Sequence, residues 1–293
     1  MPPQLGSLPQ GDGLRLTGMP PARVENSPPP QAEAAYWDSV VRGASSALNC
    51  TLWRLFCDRL HERLIQKWVG RQRFGLALKT DLFDEAQGQG LVEVLGALSR
   101  EVYGMDIAAD IVQNAARKNP GLKASVGDVR KLDFPDDAFD FICSDSTLDH
   151  FATLGELRQS IAELVRVLQP GGRLLITLDN PVNPLVALRN QLPQGRMGAL
   201  GLVPYFMGRT LSMGELAGEL RSAGLEVLAK RHLMHVPRVA ALHLCRLLSG
   251  WPRVHRVVVR IMLAFEALAV LPTARFTGHF SAVLARKSES TNR

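Results

Sequence analysis

The residues best suited to chemistry stand in two short stretches. In the first, Leu82-Phe83-Asp84-Glu85-Ala86-Gln87-Gly88-Gln89-Gly90, an apolar start passes through carboxylates into Gly-x-Gly. In the second, Val102-Tyr103-Gly104-Met105, another apolar run ends in Asp106. A strand, a glycine turn, a helix, a second strand and an acid at its tip are the parts of a nucleoside site. The glycines admit the ligand to the backbone, and the distal carboxylate accepts hydrogen bonds from the ribose hydroxyls. A tight strand-to-helix turn with no ligand reads the same way. The dinucleotide fingerprint wants a further glycine for close helix packing where Glu93 stands, which argues against nicotinamide and flavin chemistry.

Composition narrows the class and the partners. The chain has 293 residues, 46% of them apolar, enough for one large α/β domain with additions or for two small ones. A net charge of +6 is a modest excess that does not by itself imply nucleic acid. Cys50, Cys57, Cys143 and Cys245 have neither metal-ligand spacing nor the density of a disulfide framework. No metal is expected, and a reducing, cytoplasmic setting is. No apolar signal core opens the chain, and no uncharged run is long enough to span a bilayer.

The elements that must position the candidate residues follow from periodicity. Residues 1–33 are rich in Pro, Gly and Gln and lack an apolar pattern, so a disordered tail is expected. Residues 34–80 read as a helical cap. Leu52, Leu55, Phe56, Leu60, Leu64 and Trp68 recur at helical spacing in a helix expected over 36–69. From Leu82 strands and helices alternate, which predicts a doubly wound, mostly parallel sheet. Its first strand is expected to end at Asp84 or Glu85, its second at Met105, its third at Val126, its fourth at Cys143 and its fifth at Leu178. A core over 81–235, a lid insertion over 236–275 and a last strand with a tail over 276–293 complete the division.

Three further stretches occur in order: Gly127-Asp128, Phe134-Pro135-Asp136-Asp137-Ala138-Phe139-Asp140, and Leu168-Gln169-Pro170-Gly171-Gly172-Arg173-Leu174. Together with Asp84, Gly88, Gly90 and Asp106, the set resembles the successive motifs of the class I S-adenosylmethionine-dependent methyltransferases. Ala86 stands where that family has the first glycine of its loop. The resemblance implies a seven-stranded sheet with a final hairpin, for which Leu225 to His232 and His279 to Arg286 are suited. It also implies S-adenosyl-L-methionine as cofactor. Asp84 and the Ala86-to-Gly90 loop would hold its amino-acid end, and Asp106 the ribose. Ile107 would lie against the adenine, Asp128 and Val129 would meet the adenine edge, and Ser144 would line the pocket.

Methyl transfer from a sulfonium needs in-line placement and, for some acceptors, a base. His150 follows the fourth strand and is the candidate base, with Asp145 and Asp149 to orient it; a loop-holding histidine is the alternative. His232 and His235 rank lower. Asn180, Asn183 and Arg189 are expected near the acceptor, within a loop over 179–210, because segments after a strand end carry function. The motif of amino-directed nucleic-acid methyltransferases is absent after the fourth strand, so a small-molecule acceptor is expected rather than nucleic acid.

Between Lys230 and Arg275 the only acid is Glu266, and two helices are expected, over 238–248 and 254–271. The second is apolar nearly all round. Val254, Val257, Val258, Ile261, Phe265 and Leu268 form one stripe, and Val259, Leu263 and Val270 the other side. Such a helix must be buried twice, either sandwiched between the sheet domain and the Tyr36-to-Trp68 helix, or with its outer side on a hydrophobic or anionic acceptor, a membrane surface or a second copy. Two rival readings are a non-catalytic protein that binds the same cofactor, and a nucleotide-dependent enzyme of another class.

Overall fold

The computed structural model of the protein describes residues 30–42, 50–88, 90–191 and 208–289. Most of the expected tail over 1–33 and the middle of the 179–210 loop lie outside the described residues. Two helices precede the sheet: α1 (Pro30–Arg42) and α2 (Thr51–Val69). The first takes in residues 30–33, which the sequence reading gave to the tail. Next come β1 (Phe74–Thr80), α3 (Phe83–Ala86), α4 (Val92–Leu98), β2 (Ser99–Asp106), α5 (Ala109–Lys118), β3 (Leu122–Val126) and β4 (Phe139–Asp145). A 3-10 turn at Leu148–His150 leads into α6 (Leu154–Val167), β5 (Leu168–Asp179) and α7 (Pro184–Gln191). The chain ends with α8 (Met213–Ser222), β6 (Leu225–Leu233), α9 (Arg238–Leu248), α10 (Pro252–Ala264), a 3-10 segment at Phe265–Val270, α11 (Ala274–Thr277) and β7 (Phe280–Lys287).

The seven strands lie in the order β3-β2-β1-β4-β5-β7-β6. The first five are parallel, and β7 runs antiparallel between β5 and β6. Strand order reverses between β1 and β4, and in an open α/β sheet a ligand crevice forms beyond the strand ends at such a point. Both faces are covered, as a parallel sheet requires. Helix α6 packs its buried Leu157, Ile161 and Leu164 against Leu78, Ile142, Leu174 and Ile176 on one face. Helix α2 packs Leu52, Phe56, Leu60 and Ile65 against the other, with Ala77, Phe141, Leu175 and Leu284. Capping boxes open two of the helices, Thr153 with Glu156 on α6 and Ser212 with Glu215 on α8.

The first strand is not the one read from the sequence. β1 is Phe74–Thr80, the centre of the sheet, and the core therefore starts before residue 81. The run Leu82 to Ala86, expected as the strand's end, turns into α3. Asp81 marks the change with φ +69 and accepts a hydrogen bond from Phe83 N. The expected 36–69 helix is two helices, and the lid helix ends as α10 at Ala264, with a 3-10 segment beyond.

Candidate active site

The crevice beyond β1, β2, β4 and β5 gathers acids. Asp106, at the tip of β2, is buried, and its two oxygens accept hydrogen bonds from Leu82 N and Ala108 N, each at 2.9 Å. It thereby ties the exit of β1 to the start of α5. Burial, with the neighbouring Asp81 carboxylate, pushes its pKa up to about 7, against the opposing pull of the two N–H groups. A carboxylate has about four acceptor sites, so both oxygens can still take a hydroxyl. Ile107 is half-buried beside it.

Asp128 stands beyond β3, its carboxylate held by the Arg130 guanidinium at 2.7–3.0 Å. Arg130 also pairs with Glu156 of α6 and with Glu33 of α1, and lies over the Phe151 ring at 5.0 Å. Val129 is packed in the core. Helix α1 thus reaches the crevice wall. Asp38 accepts from Asp110 N at the start of α5 at 3.1 Å, and the Trp37 ring meets the His150 ring edge-on at 4.7 Å. Neither the Glu33–Arg130 pair nor the Trp37–His150 contact was legible in the sequence, because each joins residues distant in the chain.

On the other side, His150 Nε2 lies 3.9 Å from Asp149 Oδ1. Burial raises the Asp149 pKa to about 6; His150 opposes the rise and Asp179 adds to it. Asp149 Oδ2 accepts from Asp179 N at 3.1 Å. Asp145, at the end of β4, meets His61 of α2 at 3.2 Å and accepts a hydrogen bond from the Thr177 hydroxyl. Ser144 is fully buried and accepts from the Thr80 hydroxyl at 3.0 Å, so it supports the wall from behind rather than lining it.

Several expected site residues have other work. Asp84 pairs with Arg54 of α2. Ala86 is in the core. Gly88 (φ +82) packs against the Lys118 stem at the far end of α5, on the order of 15 Å along that helix from Asp106. Gly90 (φ +101) has a glycine's backbone, and a Cβ there would overlap the Glu85 carboxylate. That carboxylate is fully buried, 3.1 Å from Lys79 Nζ, and accepts from Leu91 N at 2.8 Å. The glycine turn therefore makes room for a buried acid. The acid at the tip of β1 is Asp81, signalled in the sequence only by the apolar positions of Phe74 to Leu78.

Asn180 and Asn183 are likewise occupied. The Asn180 amide donates to the Arg275 and Gly278 carbonyls at 2.8 and 2.9 Å. The Asn183 amide donates to Phe276, Thr277 and Gly278, while its oxygen accepts from Leu185 N at the start of α7. They clamp the last turn before β7. Arg189 pairs with Asp179, which also meets His279 at 3.4 Å. Burial alone would raise the Asp179 pKa, but His279, Arg189 and Arg238 override it and hold the carboxyl well below its usual range. His235 is fixed by Thr277 and the His232 carbonyl.

The comparisons with known proteins bear on the fold. Residues 86–176 match the family model described as a methyltransferase domain. A probable S-adenosylmethionine-dependent methyltransferase of Mycolicibacterium smegmatis is 25% identical over 169 residues, 57% of each chain. A demethylmenaquinone methyltransferase of Paenarthrobacter aurescens is 30% identical over 129 residues, 40% of this chain and 49% of that one. The chain spans about half the length of these curated relatives. Among solved structures, the cyclase SpnF superposes with a TM-score of 0.61 at 20% identity, covering 89% of this chain and 98% of that one. Residues 86–176 therefore resemble a methyltransferase domain, and the sheet has the fold of the class I S-adenosylmethionine-dependent methyltransferases.

The residues present fit the cofactor of that class at its nucleoside end. A buried carboxylate at the tip of β2, with an apolar neighbour and a second acid beyond β3, offers the acceptors a ribose and an adenine amino group require.

Proposed function

We propose that this chain transfers a methyl group from S-adenosylmethionine to a small-molecule acceptor of hydrophobic or anionic character. The observation that carries the reading is Asp106, a buried carboxylate at a strand tip beside the reversal of strand order. The match of residues 86–176 to a methyltransferase domain supports it. The bound cofactor supplies an electrophilic methyl group on a sulfonium. Asp106 would accept the ribose hydroxyls, Ile107 would lie against the adenine and Asp128, shared with Arg130, would meet the adenine amino group. Asp81 would stand at the amino-acid end. His150 would take the proton of an acceptor hydroxyl, with Asp149 steadying the imidazolium through Nε2. The name of the Paenarthrobacter relative supports a small-molecule acceptor, and the exposed Leu185 and Leu188 on α7 suit an apolar one.

The test is calorimetry with S-adenosylmethionine. Asp106→Ala should weaken binding by about 1.5–3 kcal/mol, the scale of hydrogen bonds to a charged group, and should lower the melting temperature without abolishing the fold, because Leu82 N and Ala108 N lose their acceptor. Unchanged affinity would remove the reading. A second reading, a protein that binds the cofactor without transferring its methyl group, is favoured by the buried Glu85 in the glycine turn. Incubation of metabolite extracts with methyl-labelled cofactor separates the two: a labelled product excludes the second, and tight binding with no product supports it.

A further inference from the structure

We propose that the hairpin of α9 and α10 docks on an anionic lipid surface. Both helices are anchored on α2 by one side only. Ala241 and Cys245 of α9, and Val258, Val259, Met262 and Leu263 of α10, belong to the core cluster that includes α2. Burial of such side chains contributes about 1.5–3 kcal/mol each, which fixes the rotation of α10 and turns its other side outward. That outer side, read along the helix, is Arg253, Arg256, Val257, Arg260, Ile261 and Phe265, all exposed. Basic and apolar residues therefore alternate along one face, with Ile261 60% exposed. At the turn between the helices Trp251 is 67% exposed, and Leu244 and Leu247 of α9 continue the apolar surface toward it.

The charge says what covers this face. From Arg238 to Phe265 the sequence holds five arginines and no acid. Glu266, the next residue, is turned inward to accept from His235 N at 3.0 Å. A second copy would set arginine against arginine, and an RNA backbone would leave Trp251, Val257 and Ile261 without a partner. A bilayer with anionic headgroups meets both halves. Apolar tips enter the headgroup–acyl boundary, a tryptophan sits at the interface, and arginine stems extend to the phosphates. The helices lie on the surface rather than cross it. At 11 and 13 residues they rise ~16 and ~20 Å against a hydrocarbon core of ~30 Å, and no described helix is long and apolar enough to span.

The hairpin is joined through the chain to the end of β5. The 3-10 segment after α10 leads to α11, whose carbonyls Asn180 and Asn183 grip at the end of β5. The claim on the lipid surface stands apart from methyl transfer, and its test needs no turnover.

The full-length protein is sedimented with vesicles of phosphatidylcholine alone and of phosphatidylcholine with phosphatidylglycerol. The expected result is binding to the anionic vesicles, weakened by salt. The triple variant Arg253→Glu, Arg256→Glu, Arg260→Glu should lower the partition coefficient on the order of a hundredfold or more. Ile261→Asp with Trp251→Ala should weaken binding at every salt concentration. All five positions are exposed, so melting temperature and cofactor affinity should match the parent's. Failure to bind anionic vesicles overturns the proposal, and so does binding that these variants leave unchanged. A dimer in sedimentation equilibrium that the same variants dissociate, or binding of an RNA oligonucleotide in place of vesicles, assigns the face elsewhere and overturns it as well.

Discussion

Asp106 carries a consequence for pH. In the free protein its pKa is raised to about 7 by burial and by Asp81, so the protonated form prevails below neutrality. Ribose hydroxyls are donors and favour the ionised carboxylate, so cofactor binding should lower that pKa and release a proton. Affinity should therefore rise as pH passes upward through about 7 and level off above it. Calorimetry in buffers of different ionisation heat should detect the released proton, and Asp106→Asn should flatten the profile. A flat profile in the parent would mean that the carboxylate does not meet the ligand. The sign for folding is opposite. A carboxyl raised from about 3.9 when unfolded stabilises the fold at low pH, and that contribution is lost as pH rises through 7. Glu85 and Lys79 show the same physics with a different outcome, since each is buried and has the other as partner. Lys79→Met should cost about 3–5 kcal/mol in urea unfolding by leaving a buried acid unpaired. The double variant Lys79→Met, Glu85→Leu should recover much of that loss.

At the scale of elements, sequence periodicity exposed what is locally amphipathic. α9 and the ends of β2 through β5 fall at or within two residues of where apolar spacing and turn residues place them, and β6 and β7 fall where the resemblance puts the final hairpin. β1 was missed because Phe74-Gly-Leu-Ala-Leu-Lys-Thr carries a glycine and a lysine, while Leu82-Phe83 resembled a strand end before an acid. Lys79 is tolerated in the central strand only because Glu85 folds back onto it, a pairing no spacing rule reveals. The glycines were read as admitting a ligand to the backbone; both have positive φ, and their neighbours, the Lys118 stem and the Glu85 carboxylate, are not visible in any local spacing. The face of α10 was misjudged for a related cause. With valine, isoleucine and leucine on every side, periodicity does not choose a rotation, and Leu263, expected outward, is 5% exposed and locked on the core. Helix α1 supplies a prediction at this scale. Its described links to the crevice include Glu33–Arg130, Asp38–Asp110 N and Trp37–His150. Arg130→Ala removes the first and frees Asp128. Amide exchange over 33–39 should then quicken in the free protein, and cofactor dissociation in stopped flow should speed up. Unchanged exchange would show that α1 is held by its other contacts alone.

For the molecule as a whole, Asp179 is the joint between the sheet and the lid. It ends β5, pairs with Arg189 of α7 and His279 before β7, and feels Arg238 at the start of α9. His279 and Asp179 both lose their contribution as pH falls, over different ranges. His279 is lowered by burial and by Arg238, so its neutral form is favoured in the fold. Its contribution is present above the unfolded value of about 6.5 and is lost as pH falls below that, since the unfolded chain then binds the proton more readily. Asp179, with its depressed pKa, contributes above the unfolded value of about 3.9 and loses that contribution as pH falls toward its folded value. Asp106 and Asp149, raised to about 7 and about 6, run the other way over the same interval. The total profile is therefore a difference of opposed terms, and the joint must be isolated by variants. Relative to the parent, Asp179→Asn should be strongly destabilised at neutral pH, because it leaves Arg189 without its buried partner, and the gap should close toward pH 3. The gap for His279→Gln should close earlier, as pH falls through about 6. Thermal melts of the parent and both variants between about pH 3 and 8 check this order. A gap for Asp179→Asn that stays constant to the acid end would mean that the carboxylate's charge does not hold the lid to the sheet.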